Sequence, residues 1–219
     1  MKFEKDYSRR DFVKTVGATG VAGTMGLAGC MDGNGTGNNP SGGGSTGKQT
    51  LKVGVMAPMS GFLKYWGYML VRGFMSGISY KYDMTPPSDP KPGDTVTIET
   101  PNTVYELYTR DTQYDPAMGQ DAAISLYQEE GVDMLYGLIN SSGAIRVIQN
   151  VVKQVQIPYM MGYPSTTTLT SDSSNCDPYV FRASEHNTME ARALGRYILE
   201  QDEFQNVFLM YPDSTFGSD

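Results

Sequence analysis

The chain has 219 residues, 17 basic and 24 acidic, with a formal charge of −7. That balance argues against a nucleic-acid partner, because such binding rests on Lys and Arg neutralising phosphates. The length suits one domain or a domain and a half. Two cysteines, Cys30 and Cys176, make neither a disulfide framework nor a zinc spacing, and the lone histidine, His186, excludes a histidine-rich metal site. No metal and no cofactor is expected.

Residues 1–30 read as a delivery signal. Ser8-Arg9-Arg10-Asp11-Phe12-Val13-Lys14 resembles the twin-arginine export motif. Thr15–Gly29 follows, mildly apolar but too short and glycine-rich to remain as a bilayer-spanning helix. Leu27-Ala28-Gly29-Cys30 resembles a lipobox, in which small residues precede a thiol that receives a lipid and becomes the new N-terminus. The expectation is export through Arg9 and Arg10 and anchoring by a lipid on Cys30 to the outer face of the cell membrane. The remaining chain carries 12 basic and 21 acidic residues, a net of −9. An acidic surface of this kind, behind such a signal, is similar to lipoproteins of haloarchaea.

Met31–Gln49 is Gly, Ser, Asn and Thr with almost no apolar side chain, so residues 31–50 are expected to form a flexible tether. Gly42–Gln49 nearly matches a phosphate-binding loop. However, Gln49 stands where Ser or Thr is needed, and the segment precedes a strand instead of following one. Asn34-Gly35-Thr36 is a glycosylation sequon that decides nothing.

Leu51–Met56 is a short apolar run rich in β-branched residues and reads as a buried strand. Pro58 and Gly61 break it, and Tyr65–Tyr80 reads as a helix weakened by Gly67, Gly73 and Gly77, glycines that permit close packing. Asp83–Gly93 holds four prolines and reads as a surface loop. Thr95–Glu99 and Val104–Arg110 alternate like a β-ribbon, the second arm entering the sheet. Asp115 is placed to cap a helix that Pro116 opens and Gly131 ends. Strands are expected at Val132–Tyr136, Ile157–Met161, Tyr179–Arg182 and from Val207 to Tyr211. Helices are expected at Ala144–Gln154 and Asn187–Gln201, with a polar loop over Tyr163–Pro178.

Strands alternating with helices imply an α/β fold with a doubly wound, mostly parallel sheet. Right-handed crossovers then put all strand-to-helix loops on one rim, where ligands of open α/β sheets bind. That rim collects Ser60-Gly61, Asp111–Asp115, Asn140-Ser141-Ser142 and Ser165–Thr168.

The order of motifs from Leu51 to Asp219 resembles the type I periplasmic binding proteins of branched-chain amino acid ABC transporters, the leucine-binding class. The residues that carry the likeness are Ala57-Pro58-Met59-Ser60-Gly61, Trp66-Gly67, Arg110-Asp111 with Asp115-Pro116, and Gly137 with Ser141-Ser142. Pro164-Ser165-Thr166, Phe181-Arg182 and Tyr211-Pro212-Asp213 with Phe216-Gly217 continue it. The resemblance implies a two-lobed extracytoplasmic receptor that closes on a small solute, an amino acid or amide, and presents it to a membrane permease.

The resemblance also implies that Ser142 meets the solute's carboxylate, Ser165 adds a hydroxyl and a backbone N–H, and Trp66 covers the side chain. Ser60, Ser141, Thr166 and Phe216 complete the expected set. A helix start at Ser142 favours an anion for physical reasons as well. Lobe 1 would span residues 51–185 and a second lobe would begin at 186–219. The full protein would be about twice this length, because one lobe cannot close on a ligand. The sequence departs from the family in its proline-rich Asp83–Gly93 loop, in Asn140 where some members have cysteine, and in Phe216 where Tyr is common.

Plainer readings stand beside these. Ser142 also reads as a helix cap, Trp66 as a core aromatic, Asp111 and Asp115 as turn and cap residues, and His186 as a satisfied polar group. Asn140-Ser141-Ser142 is also a sequon. Cys176 is either free or paired outside this chain. The alternative function is a ligand-sensing receptor domain of the same fold coupled to signalling. No nucleophile elbow or catalytic triad order suggests an enzyme.

Overall fold

The computed structural model describes residues 47–201 and 203–217. Arg9, Arg10, Cys30 and the tether up to residue 46 lie outside the described residues. Within them, β1 (Gln49–Ala57) grows more buried along its length until its last five residues are fully covered. Side chains alternate across a strand, so its two faces feed two cores. Val53, Val55 and Ala57 pack with Val71 and Met75 of α1 (Lys64–Lys81) and with Leu107. Met56 faces the other way, toward Leu126, Leu135, Val147 and Ile148.

The six strands run in the order β2-β3-β1-β4-β5-β6. β2 (Thr95–Glu99) pairs antiparallel with β3 (Thr103–Asp111) at one edge, as the ribbon pattern predicts. All other pairings are parallel: β1 with β3 and with β4 (Met134–Gly137), then β5 (Tyr159–Met161), then β6 (Val180–Arg182). The expected doubly wound sheet is therefore the observed one. The chain leaves β1 to one side and later returns to its other side, so the strand order reverses beside β1. This switch point opens a crevice at the carboxyl ends of the strands.

Helix α1 buries Gly67, Val71, Met75 and Ser79, one residue per turn on a single stripe. A Cβ at Gly67 would lie 1.8 Å from the Pro58 carbonyl oxygen, so helix and turn meet backbone to backbone. The same construction at Gly73 and Gly77 meets open space, and the close packing expected of three glycines belongs to Gly67 alone.

Helix α2 (Pro116–Gln128) starts as expected, with Asp115 accepting from the amides of Ala117 and Met118 at 2.8 and 2.9 Å. Helix α3 (Ser141–Val147) begins three residues earlier than predicted, because Asn140 caps it by accepting from the Gly143 amide at 2.8 Å. It runs on through a five-residue π-helical stretch, Ile148–Val152, to Val155. The expected loop over Tyr163–Pro178 contains a single helical turn, α4 (Thr168–Ser171).

One expected element is absent. Val207–Tyr211 is not a strand; these residues are exposed and unpaired. A strand is stabilised by its ladder and by a covered face, and neither lies beside this segment among the described residues. The apolar side chains of α5 (Asn187–Leu199) are likewise uncovered, with Leu194 and Tyr197 more than half exposed. No helix among the described residues is long and apolar enough to cross a membrane.

Candidate ligand-binding site

A cleft of about 460 Å³ opens at the carboxyl rim of the sheet. Helix α1 and its cap supply one wall through Leu63, Trp66, Met69 and Leu70. Tyr114 enters from the β3–α2 turn and Ile139 from the loop after β4. Gly162, Tyr163 and Ser165 follow β5, and Phe216 completes the lining from the C-terminal segment. No lining residue carries a charge. Trp66 is 58% exposed, so it is a cleft wall and not a core aromatic.

The backbone that forms this rim is tightly determined. Gly137 turns the end of β4 with φ 120°, and a Cβ there would lie 2.1 Å from the Met56 carbonyl oxygen. Leu138 follows at φ 61° and donates its amide to the same Met56 oxygen at 2.7 Å. The loop after β5 copies this path: the Gly162 and Tyr163 amides donate to the carbonyls of Gly137 and Leu138 at 2.7 and 3.0 Å. Tyr163 is thereby aimed along the cleft, and its hydroxyl donates to Glu185 at 2.6 Å. That bond pushes the phenol up to about 12 and holds the Glu185 carboxyl below its ordinary value.

The predicted site residues divide into two groups. Trp66, Ser165 and Phe216 line the cleft together. The other four are engaged within the protein. The Ser141 hydroxyl is buried and accepts from the Thr166 amide at 3.3 Å, which ties the loop after β4 to the loop after β5. Thr166 is fully buried, its hydroxyl 3.1 Å from that of Thr168. Ser142 is not the cap of α3, which is Asn140; its hydroxyl meets that of Thr215 at 2.7 Å. The Asn140 amide nitrogen donates to the Tyr114 carbonyl at 3.0 Å, so the sequon asparagine is a structural clip. His186 stands 3.3 Å from the Thr167 hydroxyl, a satisfied polar residue. Cys176 is free and exposed.

Ser60 and Asp111 form the turn beneath the rim. Asp111 accepts from the Met59 and Gln113 amides at 2.8 and 2.9 Å. Burial pushes its carboxyl up, but the Ser60 hydroxyl and the Gln113, Met59 and Ser60 amides together outweigh it and hold the carboxyl below its usual 3.8. A carboxyl lowered in the folded state stabilises the fold above the unfolded value, and that contribution is lost as pH falls through the folded value. Acid melting curves taken from pH 5 downward are thus expected to fall less steeply in Asp111→Asn than in the parent. Parallel curves would remove Asp111 as a linked group.

Three contributors escape the sequence patterns. Tyr114 is hidden in a turn that reads as cap chemistry. Tyr163 sits in a segment read as an undivided polar loop. Arg182 braces that loop from β6: its guanidinium donates to the Pro164 carbonyl, to the Thr166 carbonyl at 2.7 Å and to the Thr170 hydroxyl at 3.2 Å. The one available signal was a large aromatic or cation placed where a loop needs only small polar residues.

No curated protein matches the chain. Solved structures share its fold at low identity. An ABC transporter substrate-binding protein from Sphaerobacter thermophilus is 21% identical over 70% of this chain, with a TM-score of 0.55. A solute-binding protein of an ABC transporter from Rhodopseudomonas palustris, solved with benzoate, is 22% identical over 69%, at 0.55. The leucine-binding protein LivK from Thermotoga maritima is 18% identical over 68%, at 0.52. The chain spans 37% of the length of each of these proteins. The family model described as periplasmic binding protein matches residues 50–219, nearly the whole of the sheet and all of its switch-point cleft, and the chain belongs to the periplasmic binding protein family.

Proposed function

We propose that this chain is the solute-recognition part of an ABC importer, exported through Arg9 and Arg10, held outside the cell membrane by a lipid on Cys30, and delivering its solute to a membrane permease. It is a binding protein and not an enzyme. Residues 51–185 are its first lobe and residues from 186 onward begin a second. The solute is an amino acid or a related small organic acid or amide, bound between the lobes.

The observation that supports this most is the uncharged, half-open cleft at the strand-order reversal, lined by Trp66, Ser165 and Phe216. In this reading Ser165 offers its hydroxyl to the solute, Ser142 exchanges Thr215 for the solute carboxylate on closure, and Trp66 covers the apolar body. Ser60, Ser141 and Thr166 hold the loops that present those groups.

The test is a melting-shift screen of the full-length protein, with both lobes present, against leucine, glutamate, benzoate, short amides, urea and a sugar. Binding to the folded state alone stabilises by about 2.7 kcal/mol at a hundredfold excess over Kd. One solute is expected to raise the melting temperature, and Ser165→Ala is expected to reduce that rise. A folded protein that answers to nothing on the panel would sink the importer reading.

A further inference from the structure

The cleft contains one residue placed at a conformational cost. Gln113 and Tyr114 are consecutive non-glycine residues in the left-handed region, at φ 49° and 64°. Such strain persists only where surrounding structure enforces it, and it gathers at ligand sites. Here the enforcement is visible: the Tyr114 carbonyl accepts from Asn140, and the Asp115 amide closes back on Thr112 at 2.8 Å. The result is a large ring turned into the cleft from a turn that otherwise needs only polar residues. Phe62 meets that ring edge-on, centroids 6.2 Å apart, and is itself 86% exposed.

The chemistry around Tyr114 is selective. Its hydroxyl has no hydrogen-bond partner among the described residues, in contrast to Tyr163, whose hydroxyl is held by Glu185. Burial pushes the Tyr114 phenol up, so it remains a protonated donor. Trp66, Tyr163 and Phe216 line the same cleft, no cation does, and Ser165 adds a neutral hydroxyl. Rings from four separate segments and neutral donors suit a planar π-system carrying a hydrogen-bond acceptor better than a branched aliphatic side chain.

Resting on the solute-binding reading above, we infer that Tyr114 contacts the solute directly and that the solute carries an aromatic ring with a hydrogen-bond acceptor, the ring packed against Tyr114 and Trp66.

Trp66 is the only tryptophan in the chain, so its emission reports on this cleft without a label. The full chain is titrated with benzoate, with cyclohexanecarboxylate (equal in charge and similar in bulk, but without a π face) and with leucine. Melting temperatures are measured alongside. Benzoate is expected to perturb the emission and to bind roughly tenfold tighter than either competitor, the size of a good aromatic contact. Tyr114→Gly removes the ring while relieving the left-handed backbone; it is expected to weaken benzoate roughly tenfold without an equivalent loss of melting temperature. Tyr114→Phe is expected to lie between, which isolates the hydroxyl. Equal binding of cyclohexanecarboxylate, or a preference for leucine, overturns the aromatic class and leaves the importer reading standing. Unchanged benzoate affinity in Tyr114→Gly overturns the contact. Silence from the whole wider panel overturns the importer reading and this inference with it.

Discussion

Gly67→Ala is expected to cost about 3 kcal/mol of stability, the upper range for forcing atoms into a packed interior. The added methyl would sit 1.8 Å from the Pro58 carbonyl oxygen and 2.6 Å from its carbon. Those are backbone atoms of the turn after β1, not the far end of a flexible side chain, so relief requires helix α1 to lift from the sheet. Val71 and Met75 lie on the same stripe and would lose contact with Val53 and Val55. For a chain of this size the melting temperature should fall by roughly 6–12 °C. Gly77→Ala in the same helix is the matched control. Its new methyl meets nothing within 4 Å, and removing a helical glycine should stabilise by roughly 0.5–1 kcal/mol. Thermal melts of the two variants should therefore move in opposite directions. Equal shifts would mean that the contact at Pro58 does not set the position of α1. The same displacement would move Trp66, which immediately precedes Gly67, and solute binding should weaken with stability in the first variant only.

Arg182→Met is the second large expectation, a loss of about 2–4 kcal/mol: a hydrogen bond to a charged group contributes roughly 1.5–3 kcal/mol, and at this half-buried position water replaces part of the set. The guanidinium gathers the Pro164 and Thr166 carbonyls and the Thr170 hydroxyl, three groups on one loop that would otherwise need water or new partners. Methionine keeps much of the bulk and none of the donors. The loop it frees carries Tyr163 and Ser165 in the cleft, and Ser141 holds it through the Thr166 amide at 3.3 Å. The effect should be local as well as global. Limited proteolysis should open the chain within residues 163–178 first, and solute affinity should fall further than the change in melting temperature explains. A variant that melts lower while keeping its affinity would make Arg182 a general stabiliser and not a support of the site.

Both expectations rest on features that a sequence carries only faintly. The pattern at Leu51–Met56 reads correctly as a buried strand because a parallel strand covered on both faces has to be apolar throughout its inner half. Asp115-Pro116 reads correctly as a helix start because capping is chemistry between residues two and three apart. The ribbon arms at Thr95–Glu99 and Val104–Arg110 follow from two-residue alternation. The strand predicted over Val207–Tyr211 shows the other side: five apolar residues have strand character, but a strand exists only with a neighbour to pair with, and pairing is not local.

The site follows the same division. By itself the sequence determined the alternation of strands and helices, hence the doubly wound sheet, the rim on which its loops meet and the place of Ser165 on it; the family resemblance, not the pattern, put Trp66 and Phe216 beside it. Only the tertiary structure decided that Gly67 and not Gly73 or Gly77 is the close contact, that the Ser141 hydroxyl receives the Thr166 amide, and that Tyr114 turns into the cleft. The physical reason is range. Periodicity, capping and turn chemistry act between residues a few positions apart and are written in the order of the chain. Backbone collisions, shared hydrogen bonds and the walls of a cleft arise between segments that folding alone brings together, here residues 58 and 67 across a turn, and 66, 114, 165 and 216 across the length of the described chain.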